Sequence, residues 1–237
     1  MAEFLLVHGS CHGAWCWRDV VPALEGLGHR VRAIDLPSHG ADKTPIADVT
    51  LDLYRDAILN AIEAPVHLVG HSMAGFPIAA AAQAQPSKIA RLIYLCAYAP
   101  ISGSSLVDMR KMQARQPLLD AIEMSEDRLS WSPKKGLARE TFYHDCPDEA
   151  VAFAEANIVP QANLPQVTKL ALGANYEGVA KSYIRCADDR TIPPEFQTEM
   201  AQRIPAIDRH EMQTSHSPFF ADPVGLAALL DKIARAR

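Results

Sequence analysis

The segment GHSMAG, residues 70–75, constrains the fold of this chain more than any other stretch. It follows the apolar run VHLV, residues 66–69, which is typical of a buried strand, and an alanine-rich, helix-like stretch comes next. A serine between small residues at a strand-to-helix junction is typical of a strained turn that exposes its hydroxyl, with the pattern G-x-S-x-G. Ala74 replaces the second glycine of that pattern. We predict Ser72 as a nucleophile; the structural alternative is a helix N-cap.

Apolar runs alternate with helical stretches along most of the chain. This alternation predicts an α/β fold with a mostly parallel sheet of about six strands and helices on both faces. The predicted strands cover residues 4–7, 31–34, 66–69, 91–96, 183–186 and 209–212. The predicted helices cover residues 15–27, 51–63, 73–85, 195–203 and 223–234.

Residues 100–175 interrupt this alternation, since they contain no clear strand and are rich in methionine, proline and helix formers. Structureless insertions of this length are uncommon in compact domains, so we predict a helical cap over one edge of the sheet. The chain shows no linker composition and no repeat. We therefore predict a single domain over residues 1–237, with a core formed by residues 1–99 and 176–237.

A serine hydroxyl needs an adjacent base, which is itself oriented by a carboxylate. In strand–turn–helix hydrolases the chain order is serine, then an acid, then histidine. The fifth predicted strand leads into CADDRTIPPEF, which offers Asp188 and Asp189, and the sixth leads into QTSHSPFF, which offers His216. Sheets of this kind carry their sites at the carboxyl ends of strands. We predict His216 as the base and expect His71, next to Ser72, to point away from substrate.

Catalysis of acyl transfer also requires backbone N–H donors aimed at the developing oxyanion. The residue after the nucleophile, Met73, supplies one such donor. The turn after the first strand, LVHGSCHGAW, is expected to supply the other through Ser10, because Gly9 lets the backbone approach a ligand closely. Gly9 and His12 from this segment are the predicted substrate contacts. A plain tight turn is the structural alternative.

Charge and cysteine usage exclude several classes of function. The chain carries 23 basic and 28 acidic side chains without a Lys/Arg run, so neither nucleic acid nor an anionic membrane is an expected partner. Its five cysteines are odd in number and scattered, which argues against a disulfide framework or a zinc site. We see no secretory signal and no apolar run of about 18 residues, and we expect a cytoplasmic protein.

Several stretches together resemble the plant-type methylesterase and hydroxynitrile lyase branch of the α/β-hydrolase superfamily: FLLVHGSCHGAWCW, LEGLGHRVRAIDLPSHGAD, LVGHSMAG, DDRTIPPEFQ and SHSPFF. The resemblance implies the α/β-hydrolase fold, the nucleophile and base predicted above, and the Ser10 and Met73 amides as oxyanion hole. It selects Asp189 over Asp188, because the family's acid lies five residues before the proline of PEFQ. A cap tryptophan of the family implies Trp131 as a wall of the acyl pocket; a structural core role is the alternative.

Two positions separate the chemistries of this branch. The lyases carry a threonine after the first-strand histidine and a lysine after the catalytic histidine, where this chain has Gly9 and Ser217. Without that lysine, nothing obvious stabilises a departing cyanide ion, whereas Gly9 leaves room for an ester carbonyl. We therefore predict a serine-dependent carboxylesterase that forms an acyl-enzyme on small methyl or aryl esters.

The predicted partner is a small-molecule ester, and the chemistry needs no metal and no organic cofactor. The alternatives are a non-catalytic small-ligand receptor on the same fold, a cofactor-free dioxygenase, and a hydroxynitrile lyase-type enzyme. Related enzymes often form dimers, so the resemblance also allows a homodimer.

Overall fold

The computed structural model describes residues 1–236, which form two sheets and twelve α-helices. The strands are β1 Glu3–Val7, β2 Arg30–Ile34, β3 Val66–His71, β4 Ile89–Leu95, β5 Ile122–Met124, β6 Ser130–Pro133, β7 Gln161–Ala162, β8 Lys181–Cys186 and β9 Arg209–Met212. The helices are α1 Val20–Gly26, α2 Leu51–Asn60, α3 Gly75–Ala84, α4 Leu106–Lys111, α5 Pro117–Asp120, α6 Ala138–Phe142, α7 Asp148–Asn157, α8 Leu164–Val167, α9 Ala174–Glu177, α10 Pro194–Ala201, α11 Pro218–Ala221 and α12 Pro223–Arg235.

The main sheet has the strand order β2-β1-β3-β4-β8-β9, and every neighbouring pair is parallel. All six predicted strands are present, with ends that differ from the prediction by a few residues. The carboxyl ends of β3, β8 and β9 therefore lie at one edge of the sheet. The turn at Ser72, the DDR segment and the SHS segment follow these three ends.

Alternate residues of the strands feed two apolar layers, one on each face of the sheet. In β1, Leu5 and Val7 pack into the layer formed with α2, α3 and α10, whereas Phe4 and Leu6 pack into the layer formed with α1 and α12. All four side chains are fully buried. Burial of a side chain of this size stabilises the fold by about 1.5–3 kcal/mol. The predicted double coverage of the sheet is therefore confirmed.

The helix predicted over residues 15–27 is divided in two. A 3₁₀ turn, Ala14–Trp17, comes first, and α1 begins at Val20. Pro22 lies in the first turn of α1, where a helix needs no backbone N–H, so the ring is tolerated there but not in a helix interior. The chain thus begins a new helix two residues before the proline.

The segment between β4 and β8 differs from the predicted helical cap. It contains helices α4 to α9 and also a three-stranded antiparallel sheet, β5-β6-β7. These strands have two to four residues, too short to show the alternation by which a strand is recognised in a sequence. The predicted cap boundary between residues 175 and 176 falls inside α9. The division into core and cap remains a prediction.

No helix among residues 1–236 is both long enough and apolar enough to cross a bilayer.

Candidate active site

The turn after β3 holds Ser72 in a strained conformation. Its φ is +55°, a left-handed value that is uncommon for a residue with a side chain. The crowded position of this turn is Gly75, where a Cβ atom would lie 2.0 Å from the carbonyl oxygen of Tyr98. Ala74, by contrast, is accommodated as a fully buried side chain. The glycine that this turn requires is therefore displaced by one position from the G-x-S-x-G pattern.

Ser72, His216 and Asp189 form one hydrogen-bonded line. The Ser72 hydroxyl lies 3.0 Å from Nε2 of His216, and Nδ1 of His216 lies 2.7 Å from Oδ2 of Asp189. An ionised carboxylate can only accept, so Nδ1 carries the proton and donates to Asp189, while Nε2 accepts from the serine. All three residues are buried. This arrangement can move a proton off the serine hydroxyl.

Asp189 is held by donors on both of its oxygens. Oδ1 accepts from the backbone amides of Thr191, at 2.7 Å, and Ile192, at 2.9 Å. Oδ2 accepts from His216 and also from Nε2 of Gln197, at 2.7 Å. Gln197 belongs to the PPEFQ stretch, but sequence reasoning assigned it no role. Its amide holds the same carboxylate oxygen that accepts from His216.

Asp188 has a different environment. Its side chain is exposed, and its backbone carbonyl accepts a 2.9 Å hydrogen bond from Nε2 of His144. The structure therefore brings Asp189, and not Asp188, to His216.

The sequence predicts that His71 points away from the substrate, but in the structure its side chain lies at the site. It lines the cavity above Ser72, and its Nε2 donates to the backbone carbonyl of His216 at 2.8 Å. Burial lowers the pKa of His71 well below its usual value, so the ring is neutral. The prediction was wrong because the loop that carries His216 folds over the ring. His71 thus holds the backbone of His216, the residue whose imidazole contacts Ser72.

Ser10 and Met73, whose backbone amides are predicted to form the oxyanion hole, both line the cavity around Ser72. Met73 is the residue after Ser72, Ser10 lines the same cavity, and neither amide donates to a backbone acceptor among residues 1–236. Buried N–H groups are nearly always paired, so two unpaired ones beside a nucleophile are available to a ligand.

Gly9 serves a different purpose from the predicted substrate contact. A Cβ atom at this position would lie 2.6 Å from Nδ1 of His71 and 2.9 Å from Cβ of Ser72. The first turn and the Ser72 turn can pack together only because Gly9 has no side chain.

The Ser10 hydroxyl ends a directed chain of hydrogen bonds that begins between β5 and β7. Nε1 of Trp131 donates to Oε1 of Gln166 at 3.2 Å, and Nε2 of Gln166 donates to the Ser10 hydroxyl at 2.9 Å. An indole nitrogen can only donate, so the direction of the whole chain is fixed. The hydroxyl proton of Ser10 is therefore free to donate into the cavity. Trp131 is buried and lines the cavity; its role as a wall of an acyl pocket stays a prediction.

His12 holds the other side of Ser10. Its Nδ1 donates to the Ser10 carbonyl at 2.6 Å, and its Nε2 accepts from the Tyr143 hydroxyl at 2.7 Å. Burial lowers the pKa of His12 to about 4, so the ring stays neutral near pH 7. His12 also lines the cavity, as predicted for a substrate contact.

The cavity that these groups surround is small. Its volume is about 20 Å³, roughly the space of one water molecule. It is lined by polar groups near Ser72 and by apolar and aromatic groups around them: Ser10, His12, His71, Ser72, Met73, Tyr98, Leu106, Arg110, Leu118, Trp131, Phe142, Gln166, Thr191, Ile192 and His216.

One group of side chains has metal-ligand chemistry. Ligand atoms of His71, Cys96 and His216 lie within 4.8 Å of one another, and no other such cluster occurs in residues 1–236. Both rings already make the hydrogen bonds described above, and burial raises the pKa of the Cys96 thiol well above its usual value. A protonated thiol and two engaged imidazoles fit a metal poorly.

The geometry agrees with the comparisons to known proteins. Residues 4–229 match the model of the alpha/beta hydrolase family. Methylesterase 3 of Arabidopsis thaliana is 32% identical over 97% of this chain and 95% of its own length, and Methylesterase 1 of the same plant is 33% identical over 98% and 95%. The crystal structure of the pyrethroid hydrolase PytH superimposes with a TM-score of 0.88 at 26% identity, over 100% of this chain and 98% of that one. The chain therefore belongs to the alpha/beta hydrolase family, in its methylesterase branch, and is an enzyme of the carboxylic ester hydrolase class.

Proposed function

We propose that this chain is a serine carboxylesterase that cleaves small methyl or aryl esters through an acyl-enzyme. The observation that carries the proposal is the continuous line from the Ser72 hydroxyl to His216 and on to Asp189. A serine hydroxyl becomes a useful nucleophile at neutral pH when an oriented imidazole takes its proton.

In the first half of the proposed reaction, Ser72 attacks the ester carbonyl and His216 takes its proton. The carbonyl oxygen becomes an oxyanion that the amides of Ser10 and Met73 receive, and donors of this type contribute about 10²–10³ each to the rate. Asp189 keeps the proton on Nδ1 of His216 and stabilises the imidazolium. His216 then protonates the leaving alcohol.

In the second half, water replaces the alcohol. His216 removes a proton from the water, which attacks the acyl-serine; the acid leaves and Ser72 recovers its proton. Every group that this cycle requires belongs to the chain itself.

The size of the cavity supports a small substrate. A space of about 20 Å³ holds roughly one water, so even a methyl ester enters only when lining side chains move. Leu106, Arg110 and Leu118, which line the cavity, come from α4 and α5 in the segment between β4 and β8. The names of the relatives, methylesterases, support the same choice of substrate.

The test is the hydrolysis of p-nitrophenyl acetate by the Ser72→Ala variant. We expect a loss of at least about 10³-fold in kcat, because the nucleophile is absent, together with loss of labelling by a fluorophosphonate reagent. Ser87→Ala is the matched control, since Ser87 is exposed in the turn before β4 at the opposite edge of the sheet.

Unchanged turnover by Ser72→Ala would remove the proposal. Tight binding of an aromatic acid without turnover on a broad ester panel would instead support a receptor. Oxygen consumption on a heteroaromatic ring, or cyanide release from a cyanohydrin, would support the dioxygenase or lyase alternative.

A further inference from the structure

Arg110 is the one cationic side chain other than histidine that lines the cavity around Ser72. It lies on α4 and is half-buried, and its Nε–H is buried with no hydrogen-bond partner among residues 1–236. A buried donor that is left unpaired is costly, so proteins retain one where a ligand or water completes it. Arg110 is therefore poised to donate to something outside the chain.

The other arginines of the described chain show how unusual this is. Most bond to a carboxylate or to backbone carbonyls, as Arg91 does to Asp208 and Arg203 does to the carbonyls of Ala99 and Pro100. Arg30 and Arg128, which have no such partner, are exposed and satisfied by solvent. Of all the arginines in residues 1–236, Arg110 is the one that is partly buried, has no hydrogen-bond partner and lines this cavity.

Tyr98 adds a second donor to the same cavity. Its hydroxyl accepts from Nε2 of Gln113 at 2.9 Å, so its own proton remains free, and the side chain is 3% exposed. Burial raises the pKa of Tyr98, while the bond from Gln113 and the positive charge of Arg110 oppose the rise. Tyr98 and Arg110 both line the cavity around Ser72. The cavity thus offers a charged donor and a neutral donor to one acceptor group.

No carboxylate lines the cavity to neutralise Arg110. The neighbouring acid of the site, Asp189, is engaged by His216, by Gln197 and by two backbone amides. The guanidinium fork matches the geometry of a carboxylate, which it binds through two parallel hydrogen bonds. An anionic ligand would supply the missing counter-ion.

We infer that the ester substrate carries a second, free carboxylate, which Arg110 and Tyr98 bind. This inference rests on the proposed function and specifies the substrate class within it. We restrict the inference to methyl esters, whose alcohol portion cannot carry a charge. The carboxylate then belongs to the acyl portion, and the substrates are half-esters of short dicarboxylic acids. The reaction remains hydrolysis: water adds to the acyl carbon, the ester C–O bond breaks, and methanol, a dicarboxylate and one proton leave.

The experiment compares two esters that differ in charge and match in shape. Monomethyl glutarate carries the carboxylate, and the methyl ester of glutaramic acid carries a neutral amide in its place; the succinate and adipate homologues vary the reach. We expect the wild-type enzyme to favour the carboxylate at least tenfold in kcat/KM at low ionic strength, through KM more than kcat. Added sodium chloride should weaken the preference, since Arg110 is partly exposed.

Variants assign the preference to the arginine. Arg110→Met keeps an unbranched apolar stem and removes the guanidinium and its charge, so the ratio of kcat/KM between the two esters should fall at least tenfold. Arg110→Lys keeps the charge and should retain part of the ratio. Arg115→Met is the matched control, because Arg115 is exposed, pairs with Glu195 and lies outside the cavity; its ratio should equal that of wild type.

Equal kcat/KM of wild type on the carboxylate and amide esters at all three chain lengths would overturn the inference, and so would an unchanged ratio in Arg110→Met. The wild-type comparison needs no variant, so a folding defect cannot obscure it. If wild type hydrolyses p-nitrophenyl acetate through Ser72 but shows no preference, only this inference fails. If wild type hydrolyses no ester, the proposed function fails first.

Discussion

Asp188 and Asp189 are adjacent in the chain and carry the same side chain, yet their surroundings differ completely. Asp189 is 3% exposed and receives four hydrogen bonds, whereas the carboxylate of Asp188 faces solvent. The two residues therefore provide a matched test of the proposed acid.

We expect Asp189→Asn to lower kcat for p-nitrophenyl acetate by about 10⁴-fold, the loss known when this carboxylate becomes an amide and the imidazole adopts the wrong tautomer. Asp188→Asn should change kcat less than twofold. Steady-state kinetics of both variants, with circular dichroism to confirm folding, provide the measurement. Equal effects at the two positions would contradict the assignment of the acid.

At the residue scale, motifs predicted Ser72 and His216, because strand ends and chain order limit where a nucleophile and its base can lie. The same reasoning left Asp188 and Asp189 open, and the family resemblance selected Asp189. Local patterns could not find Gln166 or Gln197. Neither glutamine is charged, and each works through a single amide. The partner of Gln166, Ser10, lies 156 residues away in the chain, and no local pattern encodes such a contact. His71 was misjudged for the same reason, since its partner is a distant backbone carbonyl.

At the scale of elements, the main sheet could be predicted and the small sheet could not. The strands of the main sheet are apolar runs buried on both faces, a signal that the sequence carries directly. Strand β6 reads SWSP and β7 has two residues, so their pairing depends on tertiary contacts and not on periodicity. Yet this small sheet positions Trp131, which begins the chain of hydrogen bonds that ends at the Ser10 hydroxyl.

We expect Ser10 and Gln166, which are joined by the last of these hydrogen bonds, to act as one unit in catalysis. Ser10→Ala removes the hydroxyl and keeps the backbone amide, and Gln166→Leu removes the group that orients the hydroxyl. Each variant should lower kcat by roughly tenfold, the equivalent of about one hydrogen bond, and the double variant should lose little more than either one.

The measurement is a double-mutant cycle on an aryl ester, with urea unfolding of all four proteins as the control for stability. Losses that multiply in the double variant would show that the two side chains act independently, contrary to this expectation.

At the scale of the whole molecule, buried neutral histidines connect stability to pH. Burial lowers the pKa values of six histidines, namely His8, His12, His39, His67, His71 and His210. In the unfolded chain a histidine has a pKa of about 6.5. Between that value and the folded pKa, about 4 for His12, the unfolded state binds a proton that the native state does not. Stability is therefore complete above pH 6.5 and falls as the pH decreases.

We expect the free energy of unfolding to decrease from pH 6.5 to pH 5, with a slope of up to about 1.4 kcal/mol per pH unit for each such histidine. Urea titrations across this range measure the slope, and His12→Gln should reduce it. A free energy that stays constant over the range would contradict the assignment of neutral buried rings.

The 144 residues that separate Ser72 from His216 along the chain have a consequence for synthesis. A ribosome adds about 5–20 residues per second, so roughly 7–30 s pass between the emergence of the two partners. During that interval a nascent polypeptide carries the hydroxyl without its proton acceptor. On the proposed mechanism, translation thus keeps the growing molecule hydrolytically silent until its last sheet strand has been made.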